Sequence, residues 1–170
     1  MTANVKFAKT RPNAIIPSKR DEDMGFDVYA CFDEDYIVIN PHETKLIPTG
    51  IASACDVDYG FVLRERGSTG SKGIALRAGI IDSGYRNEWF VGLTNTTNKV
   101  LFISKLSERE TYNKYYNDIV SESFVYPYSK AIAQALVIPV PEVKAEWVSY
   151  EELQLIPSER GLGNLGSSNK

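Results

Sequence analysis

Short runs rich in β-branched and aromatic side chains recur along this chain, each closed by Pro, Gly, Asn or Asp. That rhythm restricts the fold more than any other feature. Period-two alternation inside the runs marks strands at 5–8, 26–30, 36–39, 44–48, 60–63, 73–76, 88–94, 100–104 and 132–140. Residues 36–47 read as two strands joined by the turn Asn40-Pro41-His42-Glu43. Many short strands at this spacing predict an all-β sandwich, barrel or jelly roll rather than a βαβ fold. Only 76–81 and 105–120 carry any helical pattern, and neither shows good caps. No internal repeat is present.

At 170 residues the chain has the length of one domain. The expected division is a β domain over 1–157, with an inserted segment at 105–128, and a flexible arm over 158–170. The inserted segment mixes Glu108, Arg109, Glu110 and Lys114 with Tyr112, Tyr115 and Tyr116. The arm is rich in Gly and Ser, with almost nothing to build a core.

A net charge of −3 argues against a nucleic-acid clamp, which needs a basic face. It leaves room for a small anionic substrate, because a few arginines and a cation can invert the field in one pocket. Cys31 and Cys55 have no metal-ligand spacing, and the one histidine, His42, sits in a turn, so zinc and His-based triads have little support. No stretch has the apolar length of a membrane span and the start has no signal-peptide core, so the expected location is cytoplasmic.

Four stretches can carry chemistry. In Gly79-Ile80-Ile81-Asp82-Ser83-Gly84-Tyr85-Arg86-Asn87-Glu88 a carboxylate and an aromatic ring flank a small-residue turn between two strand-like runs. A hairpin of this kind holds a flat ligand by backbone groups and a ring face; the same residues also spell a plain tight turn. Arg64-Glu65-Arg66-Gly67-Ser68-Thr69-Gly70-Ser71-Lys72 packs glycines, hydroxyls and cations densely enough for an anion nest, without Walker spacing. A polar surface loop would look the same. Arg160-Gly161 through Gly166-Ser167-Ser168 reads as an arm able to fold over phosphates, or as a linker. Asp23 and Asp27 flank Gly25 at a strand start, oxygen ligands that suit Mg²⁺ held through waters.

Taken in order, these stretches resemble the trimeric dUTPase family, whose members carry five ordered motifs. The third motif is the most specific: the family's Gly-Val-Ile-Asp-x-x-Tyr-Arg-Gly-Glu is matched from Gly79 to Glu88, departing mainly at Asn87. Asp23-Met24-Gly25-Phe26-Asp27-Val28-Tyr29-Ala30 resembles the first motif, Ile132-Ala133-Gln134 the fourth, and Arg160-Gly161 with Gly166-Ser167-Ser168 the fifth.

The resemblance implies a jelly-roll-like homotrimer that hydrolyses dUTP to dUMP and pyrophosphate with Mg²⁺. Asp82 would be the general base, with Gln134 and Asp27 near the attacking water and Asp27 holding the metal through water. Arg66, Gly67 and Ser68 would bind phosphates. Gly79 and Ile81 would present the backbone that reads uracil, and Tyr85 would pack on deoxyribose. Arg160, Leu165, Gly166, Ser167 and Ser168 would close over the nucleotide.

Three departures mark a divergent subtype, of the phage and bacterial kind. Gly67 stands where the second motif has serine, Ser129-Lys130-Ala131 replaces Gly-Asp-Arg, and Leu165 replaces a phenylalanine. Two other readings stand beside this one: a dUTPase-fold regulatory protein that binds a partner through 105–128, and a dCTP deaminase-like member of the same superfamily.

Overall fold

The computed structural model describes residues 2–115 and 122–163. The chain divides into two units, Met1–Val140 and Pro141–Lys170. The first is built almost wholly of strands, as the alternating pattern predicts: a jelly-roll-like set of short sheets closed around one apolar core.

Strands β1 (Val5–Lys9) and β5 (Ile51–Cys55) pair antiparallel, Phe7 opposite Ser53. Strands β4 (Thr44–Pro48), β9 (Phe90–Asn95) and β7 (Ile74–Arg77) form a second sheet, with β9 in the middle. The third, in the order β2 (Phe26–Val28), β12 (Ala133–Pro139), β6 (Tyr59–Arg64), β8 (Ile80–Ile81), carries the candidate site. The fourth joins β3 (Tyr36–Ile39) and β11 (Ser123–Pro127) to opposite edges of β10 (Val100–Ser104). Consequently β3 and β4, continuous in sequence around the His42 turn, lie in different sheets. His42 takes a φ of 61°, the left-handed turn conformation.

The inward faces supply Trp89, Phe61, Tyr126, Leu63, Ile39, Ile47, Leu93 and Leu101, all essentially without solvent exposure. Trp89 meets Phe7 and Phe61 edge to face while the two phenylalanines are tilted against each other, with centroids 4.9 to 5.8 Å apart. Truncating one of these buried rings costs about 3–5 kcal/mol.

The segment expected to interrupt the strand rhythm is in part a strand itself. Helix α2 (Glu108–Tyr115) leads towards β11, which runs parallel to β10 with Val100 opposite Ser123. Its start has the cap that the sequence reading overlooked. The Ser107 hydroxyl accepts from the Glu110 N–H at 3.3 Å, and the Glu110 carboxylate accepts from the Ser107 N–H at 3.0 Å, a reciprocal box. The tyrosines of α2 face inward as well as out: Tyr115 lies 4.8 Å from Phe102, and Tyr112 6.2 Å from it, edge to face. Residues 76–81, the other stretch with a helical pattern, instead form the end of β7, a bend and β8.

In the second unit, helix α3 (Tyr150–Gln154) is capped in the same way by Ser149 and Glu152. No helix among the described residues is long and apolar enough to cross a membrane. Cys31 and Cys55 are both free thiols.

Candidate active site

Strand register brings the first, second and fourth motifs together. On β12, Gln134 stands opposite Asp27 of β2 on one side and Arg64 of β6 on the other. Two residues past Arg64 the chain turns into the single helical turn α1 (Gly67–Gly70). Thr69, buried, fixes that turn: its hydroxyl donates to the Arg66 carbonyl at 3.0 Å and accepts the Arg66 N–H at 3.0 Å. Arg66 is thereby aimed back at Asp27. Its guanidinium grips the carboxylate with both arms, Nε to Oδ1 at 2.9 Å and Nη2 to Oδ2 at 3.1 Å.

These residues line a cleft of about 520 Å³, together with Ser18, Lys19, Arg20, Asp23, Met24 and Gly25. Asp27, Arg66 and Gln134, the three expected site residues from separate motifs, thus share one cleft. The turn from Ser18 to Asp23 forms its other wall; the first motif reaches only its last residue, Asp23, and for Ser18, Lys19 and Arg20 only the density of charge at Lys19-Arg20-Asp21-Glu22-Asp23 could have signalled it. Gln134 is oriented by donating its amide N–H to the Glu65 carbonyl at 2.8 Å, which leaves its oxygen beside Gly25. A Cβ on Gly25 would sit 3.0 Å from that oxygen, so glycine here keeps the amide in place. The Glu65 carboxylate accepts the Leu76 N–H at 2.8 Å, and this bond holds its carboxyl below the usual range.

Ser68, expected to bind phosphate, is half-buried. Its hydroxyl lies 3.2 Å from that of Tyr126, which donates to the Ala131 carbonyl at 2.8 Å. Gly67, by contrast, has open space where a Cβ would go.

The third motif lies elsewhere on the same chain. Ile81 is opposite Phe61 on β6, so Asp82 follows beside Gly60, while Arg66 lies beyond the far end of that strand. At about 3.3 Å per residue the separation is roughly 20 Å. Asp82 is exposed, as is Tyr85, whose N–H returns to the Asp82 carbonyl at 3.1 Å and whose hydroxyl donates to the Glu88 carbonyl at 3.1 Å. The loop does not close as the expected hairpin, since β8 pairs with β6 and β9 with β4 and β7.

The loop is stiffened instead by side chains. Arg86 donates to the carbonyls of Ser83 and Tyr85, and Glu88 accepts the Gly50 N–H at 2.8 Å and pairs with Arg11 at 3.2 Å. Gly79, with φ of 108°, brings the chain against β6, where its carbonyl accepts the Leu63 N–H at 2.7 Å.

Of the fifth motif, Arg160 donates to the Gly163 carbonyl at 3.3 Å in a tight turn. Leu165, Gly166, Ser167 and Ser168 lie outside the described residues.

A strand-built cleft lined by an Arg–Asp pair, and a separate loop bearing an exposed carboxylate and a ring, define an all-β protein with a candidate site in two parts. Comparison with known proteins makes the class specific. The family described as dUTPase matches residues 11–107. The deoxyuridine 5′-triphosphate nucleotidohydrolase of Nautilia profundicola is 34% identical over 98% of this chain and 99% of its own. That of Neisseria meningitidis serogroup B is 34% identical over 96% and 94%. Among solved structures, Staphylococcus bacteriophage 80alpha dUTPase with dUpNHpp superposes with a TM-score of 0.72 at 20% identity, covering 98% of this chain and 99% of that one. The native EIAV dUTPase does so at 0.61 and 22%, covering 86% and 98%. The chain belongs to the dUTPase family.

Proposed function

We propose that this protein is a dUTP diphosphatase, releasing dUMP and pyrophosphate from dUTP, and that its working form is a homotrimer. Family membership with full-length relatives named for this activity supports the reaction. One structural observation carries the assembly: the Asp27–Arg66–Gln134 cleft and the Asp82–Tyr85 loop sit at opposite ends of β6. Neither half is a complete site alone. Cyclic association of identical chains can bring the loop of one copy to the cleft of the next, and a closed ring uses every half-site.

In this reading Arg66 and the backbone of α1 bind phosphate oxygens. Asp82 of the neighbouring copy takes the proton of the attacking water, and Tyr85 packs on deoxyribose, where a 2′-hydroxyl would clash. The backbone from Gly79 to Ile81 reads uracil. The arm from Arg160 through Leu165, Gly166, Ser167 and Ser168 closes over the triphosphate.

The cleft suits Mg²⁺ bound through water. The Asp27 carboxylate keeps lone pairs beyond the two that Arg66 uses. The described residues contain no cluster of three or more His, Cys, Asp or Glu able to cage a cation. Phosphate oxygens and water would hold the ion, with Asp27 and the Gln134 oxygen outside them. When bound, the ion supplies charge neutralisation for the pyrophosphate leaving group. A cytoplasmic setting agrees with the two free thiols.

A regulatory contact through 105–128 belongs to the outer face of α2, where Glu108, Arg109 and Asn113 are exposed. Charge reversal there should leave dUTP turnover unchanged. Pyrophosphate release from dUTP, UTP, dTTP and dCTP, with and without Mg²⁺, tests the reaction. Selective, Mg²⁺-dependent turnover of dUTP is expected; ammonia release from dCTP would instead mark a deaminase.

A further inference from the structure

The wall of the cleft opposite Arg66 is the turn from Ser18 to Asp23, stitched to β2 by the Asp27 N–H donating to the Ser18 carbonyl at 2.9 Å. Arg20 and Asp23 close this turn on themselves. The Arg20 guanidinium donates from Nε at 2.9 Å and from Nη2 at 2.8 Å to the two carboxylate oxygens, and the Asp23 N–H returns to the Arg20 carbonyl at 3.1 Å. Lys19 is otherwise engaged: its ammonium donates to the Arg20 and Asp21 carbonyls and lies 5.8 Å above the Phe26 ring.

Two facts separate Arg20 from an ordinary surface arginine. It lines the cleft that holds Asp27 and Arg66, and its side chain is 87% exposed. At the cleft floor Arg66 and Asp27 largely cancel one another, so a triphosphate entering there needs cations from the wall. An exposed ion pair such as Arg20–Asp23 holds weakly. Its planar fork accepts a phosphate in the same two-pronged geometry as a carboxylate.

We infer that Arg20 is a phosphate-positioning residue of this cleft, which exchanges Asp23 for the β- or γ-phosphate when the nucleotide enters. This rests on the dUTP reading above. Asp23 is then a parking partner: it keeps the guanidinium at the rim and aligned while the cleft is empty. Its carboxyl is held down to about 2 by the Arg20 hydrogen bonds, so the pair is charged throughout the working pH range.

The test compares equilibrium binding of dUpNHpp and of dUMP to the full-length protein and two variants. Arg20→Ala should weaken dUpNHpp by about tenfold, the scale of one lost charge-assisted contact at an exposed site, and leave dUMP unchanged. Asp23→Asn should tighten dUpNHpp, because it frees Arg20 and removes a negative charge from the wall. If Arg20 only braces the turn, Asp23→Asn will weaken binding as much as Arg20→Ala does, and the inference falls. It falls equally if Arg20→Ala binds dUpNHpp like the parent, or loses dUMP to the same degree. Parent protein that neither binds dUpNHpp nor hydrolyses dUTP would instead overturn the functional reading, before any variant is compared.

Discussion

Arg66 and Asp27 lie 39 residues apart in sequence and are joined by a two-armed ion pair that ties the turn after β6 to strand β2. Each side chain is about one-third exposed, 31% and 32%. In that setting a pair contributes about 1 kcal/mol or less to folding. Its place at the floor of the cleft gives it more weight in binding than in stability.

Asp27→Ala should therefore lower the unfolding free energy by no more than about 1 kcal/mol, yet reduce dUTP turnover by about a hundredfold or more, since the metal's water shell loses its carboxylate. Urea denaturation and pyrophosphate release on one preparation check both halves. A variant that is strongly destabilised but catalytically normal would make the pair a structural brace.

Gly79→Ala should be among the most damaging single-methyl changes in the chain. Its φ of 108° is foreign to residues with a Cβ, and the new methyl would lie 2.9 Å from the Leu63 carbonyl oxygen and 2.9 Å from Leu76. Strain and overlap together predict a loss of about 3 kcal/mol or more. Thermal unfolding measures it; a midpoint within a degree or two of the parent would contradict the described path of the chain.

Gly67→Ser should be silent for folding. No atom lies within 4 Å of the site a Cβ would occupy, so stability should stay within about 0.5 kcal/mol. The added hydroxyl would stand beside Arg66, on the side open to ligand, and should strengthen dUpNHpp binding severalfold. A stability loss above about 1 kcal/mol would show that the turn tolerates only glycine.

Glu65 links stability to pH. Its carboxyl is held below its ordinary range, first of all by the Leu76 N–H. The folded state thus favours the ionised form. The resulting stability is present above the unfolded pKa of about 4.3 and is lost as pH falls through the lower folded value. Glu65→Ala should cost about 1 kcal/mol near neutral pH, and the gap to the parent should close below about pH 4. A gap that is constant with pH would mean that the carboxylate's charge plays no part.

Most of the fold was legible from alternation alone. Strands at 36–39, 44–48 and 100–104 coincide with β3, β4 and β10 residue for residue, because each is a compact run rich in β-forming side chains. Ile51–Cys55 escaped notice because small residues, Ala52, Ser53 and Ala54, blur the alternation. Ser123–Pro127 was masked by the polar segment before it.

Asp27, Arg66 and Gln134, singled out from three separate motifs, line one cleft. Strand register decided what sequence could not: that Asp82 belongs to the other end of β6. Arg20 was overlooked because a charged turn looks the same whether it faces solvent or a cleft. The contact of the Ser68 hydroxyl with that of Tyr126 joins residues 58 positions apart, beyond the reach of any local pattern.

The central claim is that dUTP is hydrolysed at sites shared between copies, the cleft coming from one chain and Asp82 from another. Complementation tests it most directly. Asp82→Asn and Arg66→Ala proteins, each expected to lose about 10²-fold or more in turnover alone, are unfolded, mixed in equal amounts and refolded together. Mixed assembly is verified by native mass spectrometry. Random assortment should pair an intact cleft with an intact loop at about one interface in four, restoring about a quarter of parental pyrophosphate release. Mixed trimers with no more activity than the separate variants would place both residues in one chain's site and contradict the account.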